Sequence, residues 1–166
     1  MPELLLLSFH GMPERTLHLG DPYHCHCRKT ARLLTERFAA SHPALRVATS
    51  FQSRFGRAKW LEPATDTVLV EEARKGTRRV AIAATGFSAD CLETLEEIAQ
   101  EARDAFMDAG GKAFHYIPCL NADPSWIEAL ADVSEQHLAG WATMQGPDLQ
   151  ALARSRDEAL ALGATR

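Results

Sequence analysis

The stretch LLLLSFHG, residues 4–11, contains the first strand that the sequence predicts. It is a strand-length apolar run that ends in a histidine and a glycine, which together mark the change from a buried strand to a loop. We predict a strand over Glu3–Phe9, with His10 at its end. The apolar run indicates a buried strand that opens into a loop at His10.

Three further apolar runs of strand length follow, and longer helical patterns separate them. Strands and helices in alternation predict an α/β fold, a three-layer Rossmann-like domain with a four-stranded parallel sheet flanked by helices. We assign this domain to residues 1–145 and a C-terminal helical tail to residues 146–166. The remaining predicted strands are Leu45–Phe51, Arg79–Thr85 and Ala113–Pro118.

Helix signals begin after Gly20, where Asp21 can cap a helix and Pro22 can occupy its first position. Apolar residues then recur every three or four positions from Tyr23 to Phe38, which predicts one buried face. Further helices are predicted over about Ala64–Lys75 and Asp90–Ala109, and another follows Asn121-Ala122-Asp123-Pro124 and runs to about Leu138.

The composition is that of an ordinary globular chain: 166 residues, 46% hydrophobic, 24% charged, with a net charge of −4. Without a net basic field, nucleic acid is not an expected partner, and any membrane contact is expected to be peripheral. No run approaches the roughly 18 to 20 apolar residues of a membrane span, and the N-terminus has no signal-peptide pattern. We therefore predict a cytoplasmic protein with reduced cysteines.

The nucleotide-binding and hydrolase motifs common in this fold class are absent, namely Gly-x-Gly-x-x-Gly, Gly-x-x-x-x-Gly-Lys-[Ser/Thr] and Gly-x-Ser-x-Gly. We therefore predict no organic cofactor. The segment YHCHC, residues 23–27, cannot supply four ligands to one ion from a single stretch of helix. An iron–sulfur cluster that uses Cys25 or Cys27 with distant cysteines stays open as a minor alternative.

His10 lies where open parallel sheets bind their ligands, beyond the carboxyl end of a strand. A histidine there either hydrogen-bonds the end of the strand or acts as a metal ligand or proton acceptor. Glu93 is expected at the same edge of the sheet, one turn into the third long helix. A histidine and a carboxylate that converge can bind a divalent metal or accept protons.

The third long helix also carries an acidic stripe, whose residues follow at spacings of 3, 4, 4, 3 and 4. Such a stripe is either a solvated face or a row of carboxylates that leads cations to a site at the helix N-terminus. Trp60, in a loop of the same sheet edge, is either hydrophobic filler or one wall of a pocket for a flat aromatic ligand. The stripe consists of Asp90, Glu93, Glu97, Glu101, Asp104 and Asp108.

Four segments in order resemble one known family: SFHGMPERTLHLGDPY (8–23), FQSRFGRAKWLEP (51–63), GFSADCLETLEEI (86–98) and FHYIPCLN (114–121). Jointly they resemble ferrochelatase, the lyase that inserts ferrous iron into a porphyrin in haem synthesis, and the bacterial members most closely. The resemblance extends from about Leu4 to Trp141 and implies the chelatase-like version of the predicted fold.

The resemblance also implies roles for individual residues. His10 and Glu93 match catalytic and metal-binding positions, with Fe²⁺ as the substrate metal. Cys91 stands where relatives carry a histidine. The other implied positions are Trp60, Gln52 and Ser53 in the porphyrin pocket, and Glu97 and Glu101 as an acidic relay for metal or protons.

Ferrochelatases are about twice as long as this chain, and the resemblance covers their C-terminal half only. It therefore implies either an N-terminal half on another chain or a homodimer. The first hypothesis is insertion of ferrous iron into protoporphyrin IX to form haem. The alternatives are a non-catalytic tetrapyrrole- or metal-binding half-domain, such as a truncated product, and a cobalt chelatase of the corrin pathway.

Overall fold

A parallel four-stranded sheet organises the first part of the chain. The computed structural model describes residues 1–141, 146 and 148–165 and divides into two units, Met1–Ala122 and Asp123–Arg166. In the first unit the strand order is β2-β1-β3-β4. All four predicted strands are confirmed, with every boundary within one residue of its predicted position. The strands are β1 (Leu4–His10), β2 (Arg46–Gln52), β3 (Arg79–Ala84) and β4 (Ala113–Ile117).

The predicted three-layer architecture is confirmed, because helices pack on both faces of this sheet. The first unit also contains a π-helix, a wider turn that holds one extra residue relative to an α-helix. The short helix α1 lies in a segment that was predicted as loop. The helices of the first unit are α1 (Glu14–His18), α2 (Tyr23–Ala39), α3 (Thr65–Lys75), α4 (Leu92–Leu95), the π-helix (Glu97–Ala102) and α5 (Arg103–Asp108).

Strand β1 is central and sends its side chains alternately into two cores. Leu4 and Leu6 join a core with α3, the π-helix and α5, in which Ile98 and Phe106 are fully buried. The intervening residues Leu5, Leu7 and Phe9 join a second core, to which α2 contributes Cys27 and Ala31. This double burial is the physical reason for the uninterrupted leucine run.

Helix α2 begins at Tyr23, one residue after the predicted first position at Pro22. Pro22 is the N-cap residue, so the predicted cap at Asp21 is one residue early, although the Asp21 carboxylate does accept a hydrogen bond from the backbone N–H of Tyr23 at 2.8 Å. Helix α3 begins one residue later than predicted and ends at Lys75. Gly76 follows it with a φ of 104°, the left-handed conformation that glycine adopts most easily.

The prediction of one α-helix over Asp90–Ala109 is wrong. The segment begins at Leu92 and consists of α4, the π-helix and α5 in succession. Asp90 is outside the helix because its carboxylate accepts hydrogen bonds from the Tyr116 hydroxyl at 2.6 Å and the Asn121 side-chain amide at 2.7 Å. The acidic residues therefore do not form one continuous stripe.

The second unit contains α6 (Pro124–Leu138) and α7 (Leu149–Ala161). Aspartates cap both helices, because the carboxylates of Asp123 and Asp148 accept hydrogen bonds from backbone N–H groups of the first turn. The predicted domain boundary between residues 145 and 146 adjoins residues 142–145, which lie outside the described part of the chain. Among the described helices, none is both long enough and apolar enough to cross a membrane.

Candidate functional site

Loops at the carboxyl edge of the sheet bring the candidate residues together. His10 ends β1 and lies opposite Gln52, the last residue of β2. The side-chain amide of Gln52 in turn donates a hydrogen bond of 2.6 Å to the backbone carbonyl of Glu93, in the first turn of α4. The strand end that carries His10 and the helix that carries Glu93 are thus connected through one intermediate residue.

The His10 ring is oriented by its own loop. Its Nδ1 lies 2.7 Å from the carbonyl oxygen of Gly11. Because a carbonyl oxygen can only accept, Nδ1 carries the proton of this bond, and the lone pair of the neutral imidazole is then on Nε2. Among the residues that the structure describes, none forms a hydrogen bond with Nε2. The ring can therefore accept a proton or bind a metal through Nε2.

Tyr23 supports the same strand end from helix α2. Its hydroxyl donates a hydrogen bond of 2.8 Å to the backbone carbonyl of His10. Burial raises the pKa of the Tyr23 phenol, so the hydroxyl stays protonated and remains a donor at neutral pH. The sequence pattern identified Tyr23 as the start of a buried stripe but gave no sign of this contact.

The Glu93 carboxylate is ionised at neutral pH. Its pKa is lowered, first by a hydrogen bond from the neighbouring Cys91 thiol and to a smaller extent by the nearby His10 imidazole when that ring is protonated. Burial raises the pKa of the Cys91 thiol, which therefore remains a protonated donor. An ionised carboxylate and an imidazole lone pair within electrostatic reach of each other form a site that can bind a divalent cation or accept protons.

Ser53 and Glu97 form a hydrogen-bonded pair at the same edge of the sheet. Ser53 has a φ of 62°, an uncommon left-handed conformation for a residue other than glycine. In this conformation both its backbone N–H and its hydroxyl donate to the Glu97 carboxylate, each at 2.5 Å. The predicted pocket residue Ser53 thus holds the predicted acidic residue Glu97 in place.

Two adjoining cavities lie beside this pair, with volumes of about 300 and 400 Å³. Both are lined by Ser53, Arg54, Glu97 and Glu101, and the larger one also by Glu93. Three of the six residues in the predicted acidic stripe, Glu93, Glu97 and Glu101, therefore line these cavities. The structure places two others elsewhere, since Asp90 binds Tyr116 and Asn121, and Asp104 pairs with Arg103 at 2.9 Å.

Trp60 packs close to the loop that follows His10. Its ring lies beside Gly11, where a Cβ atom would be 3.2 Å from the indole. The indole N–H donates to the backbone carbonyl of Phe55 at 2.9 Å, and the two rings meet edge to face with centroids 6.1 Å apart. Trp60 is therefore an ordered, half-buried part of the edge and presents an aromatic surface next to the site.

Sequence reasoning missed two apolar residues at the site. Phe55 and Leu92 both line the larger cavity and expose 65% and 74% of their surface, respectively. Phe55 lies in the same loop as Trp60, between Arg54 and Gly56, and an aromatic residue between a charged residue and a turn glycine could have indicated exposure. Leu92 had no such signal, because a leucine near the start of the predicted uninterrupted α-helix is expected to be buried.

All four cysteines are free thiols, with Cys27 buried and Cys25 exposed. In the described ranges, no three His, Cys, Asp or Glu side chains converge to hold a metal ion without other ligands. An ion between His10 and Glu93 would accordingly need further ligands from water or from a bound molecule.

The ferrochelatase family model matches residues 1–138, a range that contains every candidate residue of this site. The chain belongs to the ferrochelatase family. It is 60% identical to the ferrochelatase of Methylibium petroleiphilum, which it matches over 98% of its own length and 44% of the relative's. The ferrochelatase of Nitrosomonas europaea is 50% identical over the same shares of the two chains. The chain thus spans less than half of the length of the curated ferrochelatases that it matches.

The chain also resembles a solved structure, that of a protein from Marinobacter aquaeolei. That protein is described as a CbiX protein of cobalamin (vitamin B12) biosynthesis. The TM-score is 0.53 at 17% sequence identity, and the match covers 83% of this chain and 98% of the other. At this identity the likeness shows the shared fold alone.

Proposed function

We propose that this chain provides the metal-insertion site of a ferrochelatase, which inserts ferrous iron into protoporphyrin IX to form haem in the cytoplasm. The observation that carries the proposal is that His10 and Glu93 lie at the same edge of the sheet and are connected through Gln52, beside exposed apolar side chains. Membership in the ferrochelatase family supports the choice of reaction, and the free thiols support a reducing compartment.

The reaction requires a proton balance that these two side chains can meet. A porphyrin loses two pyrrole N–H protons as Fe²⁺ binds, so haem and two protons form from one porphyrin and one ion. The His10 Nε2 lone pair can accept one proton, and the ionised Glu93 carboxylate can accept another. Glu97 and Glu101, on the wall of the adjoining cavities, are proposed to relay metal or protons between the site and solvent.

A loosely held ion suits this chemistry. His10 and Glu93 offer two protein ligands, one nitrogen and one oxygen, and Fe²⁺ accepts both. Two protein ligands leave other positions on the ion for the pyrrole nitrogens, so that the macrocycle can replace the protein as the holder of iron. Trp60, Phe55 and Leu92 would contact the flat apolar face of the ring.

We also propose that turnover needs a second half of the porphyrin cleft, supplied by an N-terminal half on another chain or by a second copy. Two facts support this: the chain spans 44% of its relatives' length, and apolar side chains are exposed at the edge of the sheet where the porphyrin would bind. Large exposed apolar surfaces commonly mark binding sites.

The test is an anaerobic assay for the insertion of Fe²⁺ or Zn²⁺ into protoporphyrin IX, monitored by porphyrin fluorescence. It is run with and without the N-terminal half of the Methylibium petroleiphilum ferrochelatase. His10→Ala and Glu93→Gln should each lower the rate at least about 100-fold, because each removes a proton acceptor. His18→Ala and Glu71→Gln, which alter exposed side chains on α1 and α3, are the matched controls. Unchanged rates in both site variants would refute the assignment.

The same assay separates the alternatives. Porphyrin binding without turnover, in every combination of halves, would indicate a non-catalytic tetrapyrrole-binding half-domain. Insertion of Co²⁺ into a corrin precursor but not of Fe²⁺ into a porphyrin would indicate a cobalt chelatase.

A further inference from the structure

A chain of buried polar side chains joins β1, β2 and α3 beneath the candidate site. Thr65 Oγ1 donates to Ser50 Oγ at 2.9 Å, and it lies 2.9 Å from the hydroxyl oxygen of Ser8. The Ser8 hydroxyl donates to Gln52 Oε1 at 2.7 Å. All four side chains are buried. Polar groups in a protein core cost free energy unless each finds its partners, and a satisfied network specifies one arrangement of the elements that it joins.

The chain ends on the backbone of a candidate catalytic residue. Gln52 Nε2 donates to the Glu93 carbonyl at 2.6 Å, just before α4 gives way to the π-helix. The backbone carbonyl of Gln52 accepts the N–H of Gly11 at 2.7 Å, directly after His10. One residue therefore contacts both the loop of His10 and the turn of Glu93.

We infer that Gln52 is a positioning residue, which fixes the separation of His10 and Glu93 through its buried hydrogen bonds rather than by contact with the porphyrin. Gln52 exposes only 2% of its surface, and both polar atoms of its amide are engaged inside the fold. The effect of Gln52 on turnover rests on the proposed function, whereas its effect on the position of α4 does not.

The two elements that Gln52 connects differ in regularity, which is why their separation needs to be fixed. His10 belongs to a strand with hydrogen-bonded neighbours on both sides, whereas Glu93 belongs to a helical segment that changes its hydrogen-bonding pattern within a few residues. Proton transfer to two acceptors depends steeply on their distances from the reacting atoms, so a displacement of about 1 Å is costly. Gln52 connects the rigid element to the irregular one.

Two variants of Gln52 and one matched control test the inference. Gln52→Met keeps the length of the side chain but removes both hydrogen bonds. Gln52→Glu keeps an acceptor for Ser8, and its carboxyl can donate to the Glu93 carbonyl only when protonated. Thr65→Val disturbs the far end of the same network and leaves the bond between Gln52 and Glu93 intact.

The first readout is backbone amide hydrogen exchange in residues 92–102, which needs no activity. Gln52→Met should increase exchange there at least about 10-fold relative to Thr65→Val, and Gln52→Glu should regain protection as the pH falls and its carboxyl protonates. Equal exchange in Gln52→Met and Thr65→Val, with no recovery at low pH in Gln52→Glu, would overturn the inference. If Gln52→Met does not fold, the pH response of Gln52→Glu decides the question alone.

The second readout is the kinetics of metal insertion. Gln52→Met should lower kcat about 10- to 100-fold and change KM for the porphyrin less than about threefold. A raised KM with unchanged kcat would instead identify Gln52 as a porphyrin contact and overturn the inference. If the unmutated protein inserts no metal, the proposed function fails, while hydrogen exchange still decides whether Gln52 positions α4.

Discussion

At the scale of single residues, the backbone around His10 matters as much as its ring. The Gly11 carbonyl fixes which ring nitrogen carries the proton, and the Tyr23 hydroxyl holds the His10 carbonyl. Because the Gly11 N–H also bonds to Gln52, a small displacement of Gly11 would alter the ring and the strand end together.

Gly11 should tolerate no larger residue. A Cβ atom there would lie 2.6 Å from the backbone oxygen of Gln52, which cannot move without disturbing the sheet. We expect Gly11→Ala to lower the free energy of unfolding by about 1–3 kcal/mol in urea denaturation. Gly86→Ala is the control, because its Cβ would meet Phe9 at an ordinary 3.4 Å and should change stability by less than about 0.5 kcal/mol. Equal losses in the two variants would contradict this account.

Cys91 should control the pH dependence of the site through Glu93. The Cys91 thiol is the largest cause of the lowered Glu93 pKa, so its removal should raise that pKa towards its ordinary value. Glu93 would then become protonated at higher pH, and the acidic limb of the rate profile for metal insertion should move to higher pH in Cys91→Ala. Cys25→Ala, which alters an exposed thiol, should leave the profile unchanged. A shift to lower pH in Cys91→Ala would show that another group governs this limb.

At the scale of elements, the π-helix sets which way the acidic residues face. A π-helix accommodates one more residue than the equivalent α-helical turn, and each residue of an α-helix rotates the chain by about 100°. The extra residue thus places Glu93 and Glu97 at the cavities while Phe106 of α5 stays in the core.

Deletion of one residue in the π-helix should therefore impair the site while the fold is retained. Removal of the exposed Gln100 allows the segment to become a continuous α-helix, which rotates α4 relative to α5. We expect a cooperative unfolding transition to remain, measured by circular dichroism, while metal insertion falls at least about 10-fold. Gln100→Ala, which keeps the length of the chain, is the control and should retain activity. Full activity in the deletion variant would show that the π-helix is dispensable.

The sequence predicts the strands well because burial on both faces leaves a clear apolar signature, as in Leu4–Leu7. It also brings His10 and Glu93 to one edge, since the carboxyl ends of parallel strands meet there. It could not predict the π-helix, because the spacing of Glu93 and Glu97 is equally consistent with a continuous α-helix and with the observed α-helix followed by a π-helix. Nor could it predict the contact between Gln52 and Glu93, which depends on the packing of residues distant in sequence.

At the scale of the whole molecule, the carboxyl edge of the sheet presents much apolar surface. Phe55 and Leu92 belong to the larger cavity, and Leu19 and Leu120 are exposed in the loops after α1 and β4. Surfaces of this kind usually contact a ligand or another protein.

We expect the isolated chain of 18.3 kDa to self-associate, as measured by analytical ultracentrifugation, or to bind an N-terminal half of a relative. The double variant Phe55→Ser and Leu92→Ser should weaken either association at least about 10-fold, because it removes apolar area from the interface. Leu33→Ser, on the exposed side of α2, is the control. A strictly monomeric chain that binds no second half would contradict the proposed need for a partner.

The central place of β1 also affects how this chain folds as it leaves the ribosome. Leu4 pairs with Arg46 on one side and with Val80 on the other, so β1, which precedes both neighbours in the chain, cannot be paired on both sides until β3 has been synthesised. Contacts between residues so far apart in sequence slow folding and leave apolar strands open to aggregation in the meantime. We expect a nascent chain that stops before β3 to need chaperones, with its histidine already made but the opposite wall of its site not yet synthesised.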